Sequence, residues 1–199
     1  MTHRPEGSGR FGLLLVLTAL LLAGCQPTYQ FHGSPYPQPQ SAPDLNLTTT
    51  NGQPFNLAAY AGRPVLLFFG YTHCPDVCPA TTAEVSQVLD ELGPQADQVV
   101  FAFITVDPDR DSAAAVRSFL DRFDQRFLGL TGDSAALAQA RQAYGVFAER
   151  DSDDPANYTM THTSRLFLID PQGRLVTNYT FDEPAEVLLA DLRHLLQEN

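Results

Sequence analysis

Two apolar runs, VLLFF at Val65–Phe69 and VVFAFITV at Val99–Val106, the second broken only by Thr105, constrain the fold of this chain most. A strand with one face in water alternates apolar and polar residues, whereas a strand without alternation has to be covered on both faces. Helical spacing separates and follows the two runs. Val85, Val88, Leu89 and Leu92 mark a helix over Thr81–Leu92, and Ala115, Val116, Phe119, Leu120 and Phe123 mark another, capped by Asp111 or Ser112. A short strand at Phe127–Leu130 and a helix over Ser134–Tyr144, closed by Gly145, come next. Arg165–Ile169 and Leu175–Tyr179 flank the turn Asp170-Pro171-Gln172-Gly173 and read as a hairpin. A last helix starts at Asp182, has Pro184 in its first turn, and buries Val187, Leu188, Leu192 and Leu195. This order predicts an α/β sheet covered on both faces, with a further hairpin turn at Asn51-Gly52 near its start.

Chemistry is concentrated where the first apolar run ends, in FFGYTHCPDVCP at Phe68–Pro79. A strand that opens into a helix leaves the first helical N–H groups unpaired, and those groups with the helix dipole favour thiolate over thiol. A helix starting at or just after Cys74 would stack Cys74 and Cys78 on one face, four residues apart. Two neighbouring thiolates serve either as soft metal ligands or as a disulfide couple. A purely structural staple is the weaker alternative, because an i, i+4 bridge closes too small a loop to stabilise much.

The N-terminus carries its own signal. Arg4 and Arg10 precede the apolar segment Phe11–Leu22, which is short for a membrane span but matches the core of a secretory leader. It ends in Leu22-Ala23-Gly24-Cys25, which resembles the bacterial lipoprotein signal with Cys25 as the lipidated residue. The expected organisation is therefore a signal peptide over residues 1–24, a Pro/Gln-rich tether over 25–43, and a folded domain over 44–199. With Cys25 committed to lipid, Cys74 and Cys78 are the remaining thiols, and outside the cytoplasm they need a metal or a reducing partner. The formal net charge of −11 argues against nucleic acid and against a basic membrane-binding patch, so attachment falls to the acyl chains.

A metal site needs further ligands. His3 lies in the leader, His32 in the tether and His194 on the last helix, which leaves His73 and His162. His73 adjoins Cys74 and points away from it in an extended segment, a neighbour of the site rather than a ligand. His162 precedes a core strand, where a lone histidine is more often an ordinary hydrogen-bonded loop residue than a ligand.

FGYTHCPDVCPATT, then VDPDRDS at Val106–Ser112, then YTMTHTSRLFLIDPQG at Tyr158–Gly173 closely resemble the Sco/SenC family of copper-binding, thioredoxin-like assembly proteins. The resemblance runs from about Leu45 to the C-terminus with the motifs in order. It implies a thioredoxin-like, peroxiredoxin-like central sheet flanked by helices, with an N-terminal β-hairpin. It also implies copper, as Cu(I) and further as Cu(II), held by Cys74, Cys78 and His162. The implied role is a membrane-anchored metallochaperone of the cell envelope, more carrier than enzyme, acting on the copper-centre subunit of cytochrome c oxidase. Another copper chaperone or a thioredoxin-like reductase is an implied further partner. Two thiolates and one imidazole suit Cu(I), whereas structural zinc ordinarily takes a fourth protein ligand.

The alternative is a thiol-disulfide oxidoreductase in which Cys74 and Cys78 act on cysteines of an oxidase subunit. Two departures bear on the choice. Thr161 stands where many family members carry an acidic residue before the histidine, which removes a charge near the metal. No proline occurs around Thr163-Ser164, where thioredoxin-type reductases have one facing their cysteines. Asp107, Asp109, Arg110 and Asp111 are expected to form a helix start with local ion pairing.

Overall fold

The computed structural model describes residues 29–154 and 157–197. The leader and Cys25 lie outside the described residues. Among the described residues, nine strands and four α-helices follow in chain order: β1 Ser34–Ser41, β2 Thr48–Thr49, β3 Val65–Gly70, α1 Val77–Leu92, β4 Val100–Thr105, α2 Ala113–Leu120, β5 Leu128–Thr131, α3 Ser134–Ala143, β6 Ala148–Arg150, β7 Met160–His162, β8 Arg165–Ile169, β9 Arg174–Thr180 and α4 Ala185–Gln197. Seven strands form one sheet in the order β1-β9-β8-β3-β4-β5-β2, and β6 and β7 form a separate two-stranded ribbon.

The two apolar runs occupy the middle. Every residue of β3 and β4 is buried, as their lack of alternation requires. They pair in parallel with each other and β4 pairs in parallel with β5, each connection carrying a helix across the sheet. On the other side of β3 the pairing is antiparallel, to β8 and then β9. Ser112 caps α2 through its side chain, which accepts the Ala115 N–H. Gly145 closes α3 at φ 65°, a backbone region that other residues rarely enter. The buried face of α4 includes Leu188, Leu189, Leu192, Leu195 and Leu196, with Val187 packed at its edge. The result is the mixed α/β domain with a helix-flanked central sheet expected of a thioredoxin-like fold.

The tether boundary needs correction. Ser34–Ser41 is an edge strand, antiparallel to β9, and not part of a linker. It is mostly exposed, so no apolar alternation marks it; the unpaired edge of β9 supplies the hydrogen-bonding partners instead. His32 is likewise part of the folded unit: its Nδ1 lies 2.6 Å from Oδ1 of the fully buried Asp191 on α4, whose Oδ2 accepts the Tyr179 hydroxyl at 2.7 Å. The Asn51-Gly52 hairpin reduces to a tight turn closed by one Thr48–Pro54 bridge, because the main partner of β2 is β5.

Candidate metal centre

The centre forms at the end of the sheet where β3 stops and β8 begins. Antiparallel register pairs Phe68 with Leu166, which sets the loop after Gly70 against the segment that precedes Arg165. Cys74 and Cys78 come from the first and His162 from the second. One ligand atom from each, two sulfurs and an imidazole nitrogen, all lie within 4.8 Å of one another. Nε2 of His162 is 3.6 Å from Sγ of Cys78. His162 is therefore brought beside both cysteines instead of standing apart in its loop.

The two cysteines are not stacked on one helix face. The α1 helix begins at Val77, so Cys78 is its second residue and Cys74 lies in the preceding turn, its N–H donating to the Tyr71 carbonyl at 3.3 Å. Asp76, the residue before the helix, makes no side-chain cap. Sγ of Cys74 takes over that task and accepts the Cys78 N–H at 3.3 Å. Neither is in a disulfide, and Cys78 is buried while Cys74 is half-buried.

Their protons are unequally held. A hydrogen bond from the Cys78 thiol, with smaller contributions from His162 and from the backbone N–H groups of Cys78 and Asp76, overcomes burial and lowers Cys74 to about 3. The same shared hydrogen bond, together with burial, pushes Cys78 up. The two thiols titrate as a pair, with the first proton lost more easily and the second held more firmly than in an isolated cysteine.

His162 ends β7 and is half-buried. Its Nδ1 faces the Thr163 carbonyl at 3.3 Å, and its Nε2 faces Cys78 Sγ. Edges of Tyr71 and Phe68 enclose the ring, with centroids 5.7 and 6.4 Å away. His73 is more than half exposed and turns to Thr72 Oγ1 at 3.0 Å and Asp111 at 3.7 Å, in keeping with its place beside the site. Thr163, where a proline was absent, ties the ribbon together: its N–H donates to the Phe147 carbonyl and its Oγ1 accepts the Phe147 N–H.

Sequence reasoning undervalued VDPDRDS. The Arg110–Asp107 ion pair is present at 2.6 Å and Asp109 pairs with Arg150, but Asp107 and Asp111 are buried and bind other segments. Asp111 accepts from the Thr72 N–H at 3.0 Å, the Thr72 hydroxyl at 2.6 Å and the Thr105 hydroxyl at 2.7 Å, so it fixes the cysteine turn. Tyr71 belongs to the site as well, and its sequence signal is an aromatic residue between a buried strand and a cysteine turn.

The donor set fits a soft monovalent metal, since two sulfurs and one imidazole nitrogen converge without a carboxylate among them. The SCO1/SenC family profile matches residues 34–197, most of the chain. The chain belongs to the SCO1/SenC family. Its relatives include an SCO2-like protein of Rickettsia conorii, 32% identical over 154 residues, covering 76% of this chain and 75% of that protein. The mitochondrial SCO2 homolog of Mus musculus is 35% identical over 153 residues, which cover 75% of this chain but only 60% of the mouse protein. Copper-bound ScoI of Bradyrhizobium japonicum superposes with a TM-score of 0.72 at 39% identity, over 78% of this chain and 99% of that one. The family model begins at residue 34, where β1 begins, which agrees with the corrected domain boundary.

Proposed function

We propose that this SCO1/SenC protein carries copper at Cys74, Cys78 and His162 and delivers it to the binuclear copper centre of cytochrome c oxidase. The observation that carries this reading is the convergence of three soft donor atoms within 4.8 Å, from segments far apart in sequence. Similarity to a ScoI that binds copper supports the choice of metal. Copper is cargo here. Two ligands sit on the sheet-anchored cysteine turn, while His162 sits on a three-pair ribbon outside the main sheet, so the imidazole is the ligand most easily withdrawn when an acceptor thiolate arrives.

Residues Leu22–Cys25 support a lipid anchor outside the cytoplasm. Among the described residues no helix is long and apolar enough to cross a membrane. Incorporation of a fatty-acid tracer, lost on Cys25→Ser, tests the anchor; equal labelling of the variant refutes it.

Titration of the reduced full chain with Cu(I) tests the carrier role. One equivalent is expected to bind, Cys74→Ser with Cys78→Ser to abolish binding, and His162→Ala to weaken it. Affinity unchanged by His162→Ala removes the histidine from the site.

The thiolate at Cys74 favours a second reading, dithiol exchange. In it Cys74 attacks a partner disulfide and releases one partner thiolate; Cys78 then loses its proton, attacks Cys74 and releases the other. The partner gains two electrons and this chain ends as a Cys74–Cys78 disulfide. His162→Ala changes that exchange rate far less than it weakens Cu(I) binding, which separates the two readings.

A further inference from the structure

Tyr71 immediately follows β3 and is 2% exposed. Apolar packing alone would account for a buried ring, but not for where its polar atoms go. Its carbonyl accepts the Cys74 N–H, its ring edge meets the imidazole of His162 at 88°, and its hydroxyl accepts the Met160 N–H at 3.2 Å. One residue thus touches the cysteine turn, the histidine ring and the backbone of the strand that carries that ring.

The strand geometry shows why this bond exists. Along β7 and its flanks, the Thr163 N–H donates across the ribbon to the Phe147 carbonyl, and the Thr159 carbonyl accepts the Asp151 N–H. Antiparallel hydrogen bonds alternate in direction, so Met160 and His162 turn their N–H groups away from β6. Met160 therefore has no ladder partner for its N–H, and the Tyr71 hydroxyl takes that place. Behind it, the Arg110 guanidinium lies 5.8 Å from the Tyr71 centroid and 3.4 Å from that of Tyr158. Arg110 also donates to the Tyr158 carbonyl at 2.9 Å, and the Tyr158 hydroxyl donates to Asp107 at 2.7 Å. The ribbon is held just before its metal-binding end from both the cysteine turn and the β4–α2 loop.

We propose that Tyr71 is the positioning residue of the metal centre: its hydroxyl, by holding Met160, sets the height of β7 and so places His162 Nε2 beside the sulfurs. This rests on the reading of His162 as a ligand. Tyr71 does not itself bind the metal; it acts through the backbone two residues before the ligand.

Tyr71→Phe in the full chain keeps the ring and removes only the hydroxyl. In the metal-free protein, exchange of the Met160 amide hydrogen is expected to accelerate about fivefold, the ratio that one lost hydrogen bond implies. The nuclear Overhauser contact between the His162 ring and the Cys78 β protons is expected to weaken. In Cu(I) titrations, the affinity lost on His162→Ala is expected to be at least about threefold smaller in the Tyr71→Phe background than in the parent. Unchanged exchange and an unchanged contact overturn the proposal, as does an equal His162→Ala penalty in both backgrounds, which makes the hydroxyl a structural group only. A parent protein that binds Cu(I) equally well without His162 instead overturns the ligand reading, and the metal-free measurements still decide whether Tyr71 places the ring.

Discussion

His162 Nε2 and Cys78 Sγ stand 3.6 Å apart although 84 residues separate them in the chain. The antiparallel pairing of β3 with β8 makes this distance, because the cysteine turn leaves one strand at the point where the histidine segment enters the other. Perturbing that junction should therefore perturb the site.

Gly70 is the first place to test it. A methyl group added there would lie 2.8 Å from Phe103 Cε2, 2.9 Å from Phe68 Cε1 and 3.0 Å from Cys78 Sγ. Gly70→Ala is expected to destabilise the domain by roughly 1–3 kcal/mol, the usual cost of overpacking. Because one neighbour is a sulfur of the proposed site, Cu(I) affinity should fall as well. Chemical denaturation and metal titration check the two effects separately, and an unaltered stability would show that the junction has slack.

Cys74 should react as a thiolate across the neutral range. An acid whose value falls to about 3 is ionised at every higher pH and is lost only on strong acidification. The rate of iodoacetamide modification of the reduced, metal-free protein should thus stay nearly flat between about pH 5 and 8, where an ordinary thiol gains about tenfold per unit. Buried Cys78 should be modified more slowly. A rate rising with full slope through this range contradicts the assignment.

Asp111 joins the cysteine turn to the end of β4 through three hydrogen bonds. Asp111→Ala leaves the Thr72 N–H and two hydroxyls without their acceptor, at an expected cost of about 2–4 kcal/mol. Asp111→Asn keeps the shape but offers fewer acceptor sites, and should fall between the parent and the alanine variant. Thermal unfolding of the three proteins establishes the order.

Asp191 does the corresponding work at the far edge of the domain, where it binds the Tyr179 hydroxyl and both the backbone N–H and ring of His32. Asp191→Ala is expected to cost about 2–3 kcal/mol by removing a buried acceptor of the Tyr179 hydroxyl. His32→Ala should cost less than about 1 kcal/mol, since that ring is half exposed and its backbone bond survives. Increased hydrogen exchange in β1 should accompany the first change and be slight in the second.

Periodicity made the centre of the fold legible. Continuous burial of β3 and β4 and the apolar stripes of the helices are local consequences of side-chain patterning, so their positions follow from nearby residues. The cysteine pair was equally local. The strand Ser34–Ser41 was hidden because it is held by backbone bonds to the β9 edge, and backbone bonding leaves no mark in side-chain composition.

By itself the sequence determined an α/β core, a poised cysteine turn and, through its motifs, the family to which they belong. Only the tertiary structure decided that Cys74 caps α1 instead of stacking on it, that Asp107 and Asp111 turn inward, and that Tyr71 meets the histidine strand. These facts depend on strand order and register, which bring distant segments together through hydrogen bonds whose partners no local pattern can name.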